Sequence, residues 1–196
     1  MRPLRMPHSS DTGMTLVELM VVTGILAMVM LTLTSILLSS GRVQSRTVRR
    51  AELQADCRQT VSLMSTEIRQ AGADPSNPPL GVVGISAADS NSVRIRADLS
   101  GNRAIETTEP SEDVTYTYNA GTRVITRNPG TGPVVLLSNV TNMRLSYFDS
   151  ANLPVTPLPL SAVNAARVRS IGMTVTSLDR DSQPLTLTTR ITLRNL

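Results

Sequence analysis

The 196-residue chain is 40% hydrophobic yet only 2% aromatic, with no Trp, so it has room for one domain of ordinary size plus an extension, built around an aliphatic core. Its nineteen basic residues are all Arg and leave a formal charge of +4, too small and dispersed for a nucleic-acid protein, and no RNP, zinc-finger or Gly-rich phosphate loop accompanies it. One cysteine, Cys57, excludes an intrachain disulfide and leaves the redox compartment open.

A short polar start carries Arg2, Arg5 and the only histidine, His8, and runs into Gly13-Met14-Thr15-Leu16-Val17-Glu18. Twenty residues without a charge or a proline follow, Leu19 to Leu38. As a helix they measure about 30 Å, the thickness of a bilayer's hydrocarbon core, which predicts a membrane span over 19–38. A secretory signal peptide would use Arg2 and Arg5 as its basic region and Ser39-Ser40-Gly41 for cleavage, but its apolar region is usually about 7 to 15 residues long. A buried core helix would show a polar face, which this run lacks. Glu18 is the anomaly. A carboxylate costs about 2.5 to 3.5 kcal/mol at the centre of a membrane helix, less toward the interface, so it needs a partner or water. Either it snorkels to the headgroups or it meets a positive charge, and cutting before Met14 would create one as a new α-amino group.

The helix is predicted to continue over 14–71, about 85 Å at 1.5 Å per residue. No proline falls between Gly41 and Ala71, and Leu53, Cys57, Val61, Met64, Ile68 and Ala71 recur at helical spacing, with Glu52, Gln54, Asp56, Arg58, Ser62, Glu67 and Arg69 mostly between them. Upstream the same seam carries Arg46 and Arg49 or Arg50, so packing should begin near Leu53. Those arginines form a solvated face or contact lipid phosphates or acidic groups on neighbouring chains. Cys57 reads as a small core residue rather than a redox or metal group.

Gly72 suits a helix C-cap, and Pro75, Pro78 and Pro79 prevent continuation. Residues 72–196 then read as a β-rich head. Period-two alternation marks strands at 93–97, 114–118 and 185–193, and further strands are expected near 80–85, 122–127, 134–137, 140–148 and 167–177. The inward phase shifts between Val168 and Ile171 beside Gly172, which predicts a bulge there. Pro154, Pro157 and Pro159 mark a loop, and residues 179–183 a hairpin turn. The expected fold is α+β: a long N-terminal helix, half membrane-spanning and half amphipathic, packed on an antiparallel β-sheet head.

Catalysis finds no support. With His8 outside the head, no Ser-His-Asp or Cys-His arrangement is available there. Glu109 with Glu112 and Asp113, or Asp179 with Asp181, lack the ligand order of a calcium loop and read as solvated acidic turns, so no metal or cofactor is implied. Asn139-Val140-Thr141 matches a glycosylation sequon, a weak motif on its own.

Gly13-Met14-Thr15-Leu16-Val17-Glu18, with a basic and polar leader before it and an apolar helix after it, resembles the processing signal of type IV prepilins and type II secretion pseudopilins. The resemblance implies a pilin-like fold, a leader of residues 1–13, cleavage between Gly13 and Met14 by a prepilin peptidase, and N-methylation of Met14. It also implies that Glu18 pairs with the N-terminal amine of a neighbouring subunit during assembly. Met14 departs from the commoner Phe at that position, which puts only processing efficiency in doubt. More loosely, Glu67-Ile68-Arg69-Gln70-Ala71-Gly72, the strand from Asn139 to Tyr147 and Leu193-Arg194-Asn195 resemble the large minor pilins of the W type and pseudopilin J. That implies a low-copy structural subunit at or near a filament tip, with other minor and major pilins and inner-membrane lipid as partners. A pseudopilus subunit and a tethered tip adhesin are the alternatives, and neither an enzyme nor a nucleic-acid partner is expected. The count of Arg2 and Arg5 before the span against Arg42, Arg46, Arg49 and Arg50 after it favours a cytoplasmic head. The cleavage signal needs Gly13 on the cytoplasmic side, and hence an exported head.

Overall fold

The computed structural model of the chain describes residues 14–107, 112–179 and 182–196. Helix α1 spans Leu16–Gln70, within two residues of the expected 14–71. By its contacts the chain divides into residues 1–48 and 49–196.

In the first unit, every described side chain from Met14 to Val48 is exposed, including the whole run from Leu19 to Leu38. This is the one described helix long and apolar enough to cross a membrane. Its hydroxyls do not break the apolar surface. Thr23 donates to the carbonyl of Leu19 at 2.9 Å, Thr32 to Val29 at 2.8 Å, Thr34 to Met30 at 2.8 Å and Ser35 to Thr32 at 2.7 Å. Each polar hydrogen within 19–38 is satisfied by the helix's own backbone, so the run needs no water.

In the second unit, Leu53 is the first apolar residue of α1 to pack against the core, and Cys57, Met64, Ile68 and Ala71 are fully buried. The stripe also takes in two polar residues, Thr60 and Glu67. The helix ends at Gly72, whose φ of +77° is the left-handed conformation a C-cap requires. A Cβ there would sit 2.5 Å from Leu196 Cδ2 and 3.0 Å from the Asn195 carbonyl, so glycine also lets that segment cross the helix end.

The head holds two antiparallel sheets where the sequence suggested one. Five strands form the first, in order: β1 Ile85–Ala88, β2 Ser92–Arg96, β3 Asp113–Asn119, β4 Val124–Asn128 and β5 Val134–Leu137. Three strands form the second: β6 Val140–Phe148, β7 Ser170–Leu178 and β8 Pro184–Thr192. The break falls at Asn139, whose φ of +59° turns the chain out of the first sheet. Between β6 and β7, residues 154–160 form the expected proline-marked loop and lead to a one-turn helix, α2 Ala162–Ala165, capped by Ser161, which the sequence reading missed. The core is largely aliphatic, but all three tyrosines, Tyr116, Tyr118 and Tyr147, are buried in it.

Two strand expectations are corrected. The strand placed at 80–85 lies instead at Ile85–Ala88. Residues before it are held by side chains rather than a ladder, Gly81 donating to Asp74 Oδ2 at 2.7 Å and Leu80 to Ser76 Oγ at 3.1 Å. The bulge predicted at Gly172 is absent, since β7 pairs with β8 without a shift from Ser170↔Thr192 to Leu178↔Pro184. Val168 belongs to the turn before the strand, which explains its phase. The irregularity lies between Val140 and Asn142, where β6 pairs with β7, and it carries the inward phase from Val140 to Met143.

Candidate functional site

The start of α1 has the arrangement of a capping box. Thr15 precedes the first helical residue, and its Oγ1 accepts the backbone N–H of Glu18 at 3.2 Å. Glu18 reaches back, Oε2 accepting the Thr15 N–H at 3.3 Å and the Thr15 hydroxyl at 3.4 Å. Two backbone donors left free by the first helical turn are thereby satisfied, and a negative charge sits at the positive end of the helix dipole. The sequence reading offered Glu18 only lipid headgroups or a new amine. The structure adds a third environment, already present within one chain. Met14 is exposed beside it, and Gly13 with the rest of the leader lies outside the described residues.

A second acid of α1 has a different setting. Glu67 Oε1 accepts Arg127 Nη2 at 2.7 Å, and Arg127 Nε donates to both carboxylate oxygens, at 3.1 and 3.0 Å. The Tyr116 hydroxyl donates to Oε2. The ion-paired side chains are 13% and 8% exposed, which makes this a buried, bidentate, charge-assisted pair between α1 and strands β3 and β4. Burial and the Glu67 carboxylate push the Tyr116 hydroxyl far above its ordinary pKa. Burial alone would lower the Arg127 guanidinium, but Glu67 outweighs it and raises it. Helical periodicity places Glu67 near the buried stripe, but nothing in the sequence pairs it with Arg127, 60 residues on.

The head's acidic clusters are corrected too. Glu112 and Asp113 are not solvated: they are 2% and 5% exposed. Glu112 accepts the N–H groups of Leu99 at 3.1 Å, Ser100 at 3.0 Å and Glu106 at 3.1 Å. Burial pushes its carboxyl pKa up, but these amides outweigh burial and leave it below the ordinary range. Asp113 accepts Arg94 Nε at 2.7 Å and Nη2 at 2.6 Å, and Arg96 Nε at 3.2 Å. Burial again pushes upward and the two arginines prevail, so Asp113 too is lowered. Asp179 accepts the N–H of Gln183 at 2.8 Å and closes the expected β7–β8 turn. Glu109 and Asp181 lie outside the described residues, and among the described residues no three His, Cys, Asp or Glu side chains gather as metal ligands. Arg46 and Arg50 are exposed, while Arg49 is half-buried and lines an open cleft of about 370 Å³ with Glu52, Asp56 and Asp179. Cys57 is 1% exposed, and burial, then Asp56, push its thiol pKa up, as for an inert core residue. In the sequon, Asn139 and Thr141 are exposed and Val140 is buried.

Residues 8–34 match the family model described as the prokaryotic N-terminal methylation motif. The match takes in Gly13, Met14, Glu18 and most of the apolar run, and it supports a type IV pilin or pseudopilin-like protein. It implies processing by a prepilin peptidase, assembly with other pilins and anchoring in the inner membrane. Comparison with curated proteins returns no match to the chain.

Proposed function

We propose that the protein is a minor pilin-like structural subunit of a type IV pilus, helping to prime filament assembly at or near the tip. One observation carries the reading: the methylation motif over residues 8–34 takes in the start of α1, whose first turn presents Glu18 four residues after Met14. Prepilin peptidase cleaves after Gly13 and the Met14 amine is methylated. The apolar run first lies in lipid, with the leader cytoplasmic and the head exported, and then enters the filament. In that state Glu18 partners the Met14 amine of a neighbouring subunit. The capping box supports this step, since it holds the carboxylate by weak, exposed hydrogen bonds of 3.3 and 3.4 Å, which a charge-assisted bond can outcompete. Three buried acids of this unit are committed to internal partners, Glu67 and Asp113 to arginines and Glu112 to backbone amides, which favours a structural role for them.

Mass spectrometry of the mature N-terminus tests the processing step: an N-methylated Met14 is expected, and an intact Met1 or a start near Arg42 refutes it. A reporter fused after residue 196 tests the topology and is active only if exported. The same motif is shared with type II secretion pseudopilins, and the resemblance to pseudopilin J keeps that second reading. Loss of pili on deletion supports the pilus, loss of protein secretion the pseudopilus, and loss of attachment with filaments intact a tip adhesin.

A further inference from the structure

After the apolar run, α1 changes its chemistry without changing its conformation. Leu38 ends the run, Arg42, Arg46, Arg49 and Arg50 follow, and no Asp or Glu occurs from Leu19 to Ala51. The helix is continuous through all of them. Its rise therefore fixes their heights: the Arg42 Cα stands about 6 Å past Leu38 and the Arg46 Cα about 12 Å, on one face at four-residue spacing.

Direction matters as much as height. In an α-helix the Cα–Cβ bonds tilt toward the N-terminus, so a long side chain covers the turn before its own Cα. For a residue that follows a membrane span, that turn lies on the membrane side. Leaning back by about one turn, or about 5.4 Å, an arginine at position 46 brings its guanidinium to about 7 Å past Leu38. The headgroup layer is about 5 to 7 Å deep on each side of the hydrocarbon core. Arg42 and Arg46 thus address the same layer, and Arg46 is exposed. Three hydroxyls around them are turned to the backbone instead: Ser39, Ser45 and Thr47 donate to the carbonyls of Ile36, Gly41 and Val43 at 2.9, 2.9 and 3.1 Å.

We propose that Arg42 and Arg46 form a binding site for the phosphate of an anionic phospholipid, in the leaflet where the span ends. A guanidinium offers paired N–H donors that match two phosphate oxygens, and it stays charged at physiological pH. A zwitterionic headgroup brings its own cation to the phosphate, whereas an anionic one leaves that role to the protein. Arg49 stands outside the site, since it lines the cleft with Glu52, Asp56 and Asp179. Arg50, about 18 Å past Leu38, adds only longer-range attraction. Acidic side chains of a neighbouring subunit are the rival occupant. In a second copy at the same depth the nearest following acid is Glu52, six residues beyond Arg46 and so about 9 Å higher, while the arginine side chains lean the other way. The site rests on the proposed function in one respect, that the apolar run lies in lipid before assembly.

The test uses the full chain reconstituted in phosphatidylcholine vesicles with a trace of spin-labelled phosphatidylglycerol or, separately, spin-labelled phosphatidylcholine. It reads the fraction of each label that the protein immobilises. A basic group at an anionic surface is worth about fivefold in local lipid concentration, diluted over all the lipids around one helix. The preference for phosphatidylglycerol should therefore fall at least about twofold when Arg42→Gln and Arg46→Gln are combined. Comparing variants removes the background from Arg2 and Arg5 before the run. Arg58→Gln with Arg69→Gln removes the same charge at least about 30 Å past Leu38 and should leave the preference unchanged. Inorganic phosphate in place of chloride at equal ionic strength should leave it unchanged too. Flotation with the vesicles is measured first, and a chain that does not float overturns the anchoring and this site with it. A chain that floats overturns this site alone in any of four ways. It immobilises both labels equally, which leaves a neighbouring acid as the occupant; it keeps its preference without Arg42 and Arg46; it loses the preference without Arg58 and Arg69; or it loses it to phosphate, which names a free anion as the ligand.

Discussion

Glu18 and Glu67 lie on the same helix, one at the head of an apolar run and the other beside a buried apolar stripe, and their surroundings are opposite. Glu67 is enclosed by the head and meets Arg127 and Tyr116. Glu18 is exposed and, among the described residues, its carboxylate meets the backbone and hydroxyl of Thr15. An acid in apolar surroundings must recover its lost hydration. Where the chain provides a buried cation, the acid becomes part of the fold; where it provides only a helix cap, the charge stays available to a partner outside the chain. The two carboxylates thus separate the end of α1 that is part of the fold from the end that the proposed function assigns to assembly.

The largest expected effect removes that difference at Glu67. Arg127→Met should leave a buried carboxylate without a counter-charge and destabilise the head by about 3 to 5 kcal/mol, read as a fall in denaturation midpoint. Little change would mean that Tyr116 and water suffice. Gly72→Ala acts at the helix end behind Glu67. The φ of +77° and the displaced Leu196 predict a loss of roughly 1 to 2 kcal/mol from the left-handed conformation alone, more if Leu196 cannot yield. Restored stability in Gly72→Asn would show that conformation, not space, governs the position.

Acid sharpens the contrast from another side. Glu112 and Asp113 have carboxyl pKa values lowered in the folded head, so the folded state holds fewer protons than the unfolded chain wherever they titrate. Their contribution is complete above the unfolded carboxylate pKa of about 4 and is lost as pH falls through the lower folded values. The melting temperature should drop as pH goes from 5 to 3, and Glu112→Gln should flatten that dependence. A melting temperature that rises on acidification would contradict the assignment. The smallest effect on stability belongs to Glu18. Glu18→Gln keeps an acceptor for the Thr15 N–H, whereas Glu18→Ala removes it, at about 0.5 to 2 kcal/mol for a lost cap. Under the proposed function both variants are still cleaved after Gly13 and both fail to enter filaments, because each lacks the charge. Normal incorporation of Glu18→Gln would make the carboxylate a cap and nothing more.

Much of this was legible in the sequence, for identifiable reasons. The membrane run, the helix from 14 to 71 and its end at Gly72 depend on local composition, period and backbone conformation, which neighbouring residues carry by themselves. Seven of the eight strands fell near their expected places for the same reason. Two of the misreadings concern long-range partners. Glu112 and Asp113 looked like a surface turn because hydrophilic residues in sequence carry no record of the amides of residues 99–106 or of Arg94 and Arg96 folding over them. Gly172 looked like a bulge, when its use is to clear the way for Phe148 and Arg190 from the two flanking strands. The capping box is a local signal, readable as Thr15-Leu16-Val17-Glu18.

By itself, then, the sequence determined a processed-looking start, an apolar helix with one early acid, and a β-rich head behind a glycine cap, because each rests on period, length or backbone freedom within a few residues. The tertiary structure decided that the head has two sheets and that, among the described residues, Glu67 is locked to Arg127 while Glu18 is capped by Thr15 and the outer edge of β8 receives no hydrogen bond. Those outcomes depend on which distant groups reach one another, and the free energy of a buried charge or an unpaired strand edge is set by that meeting rather than by local order.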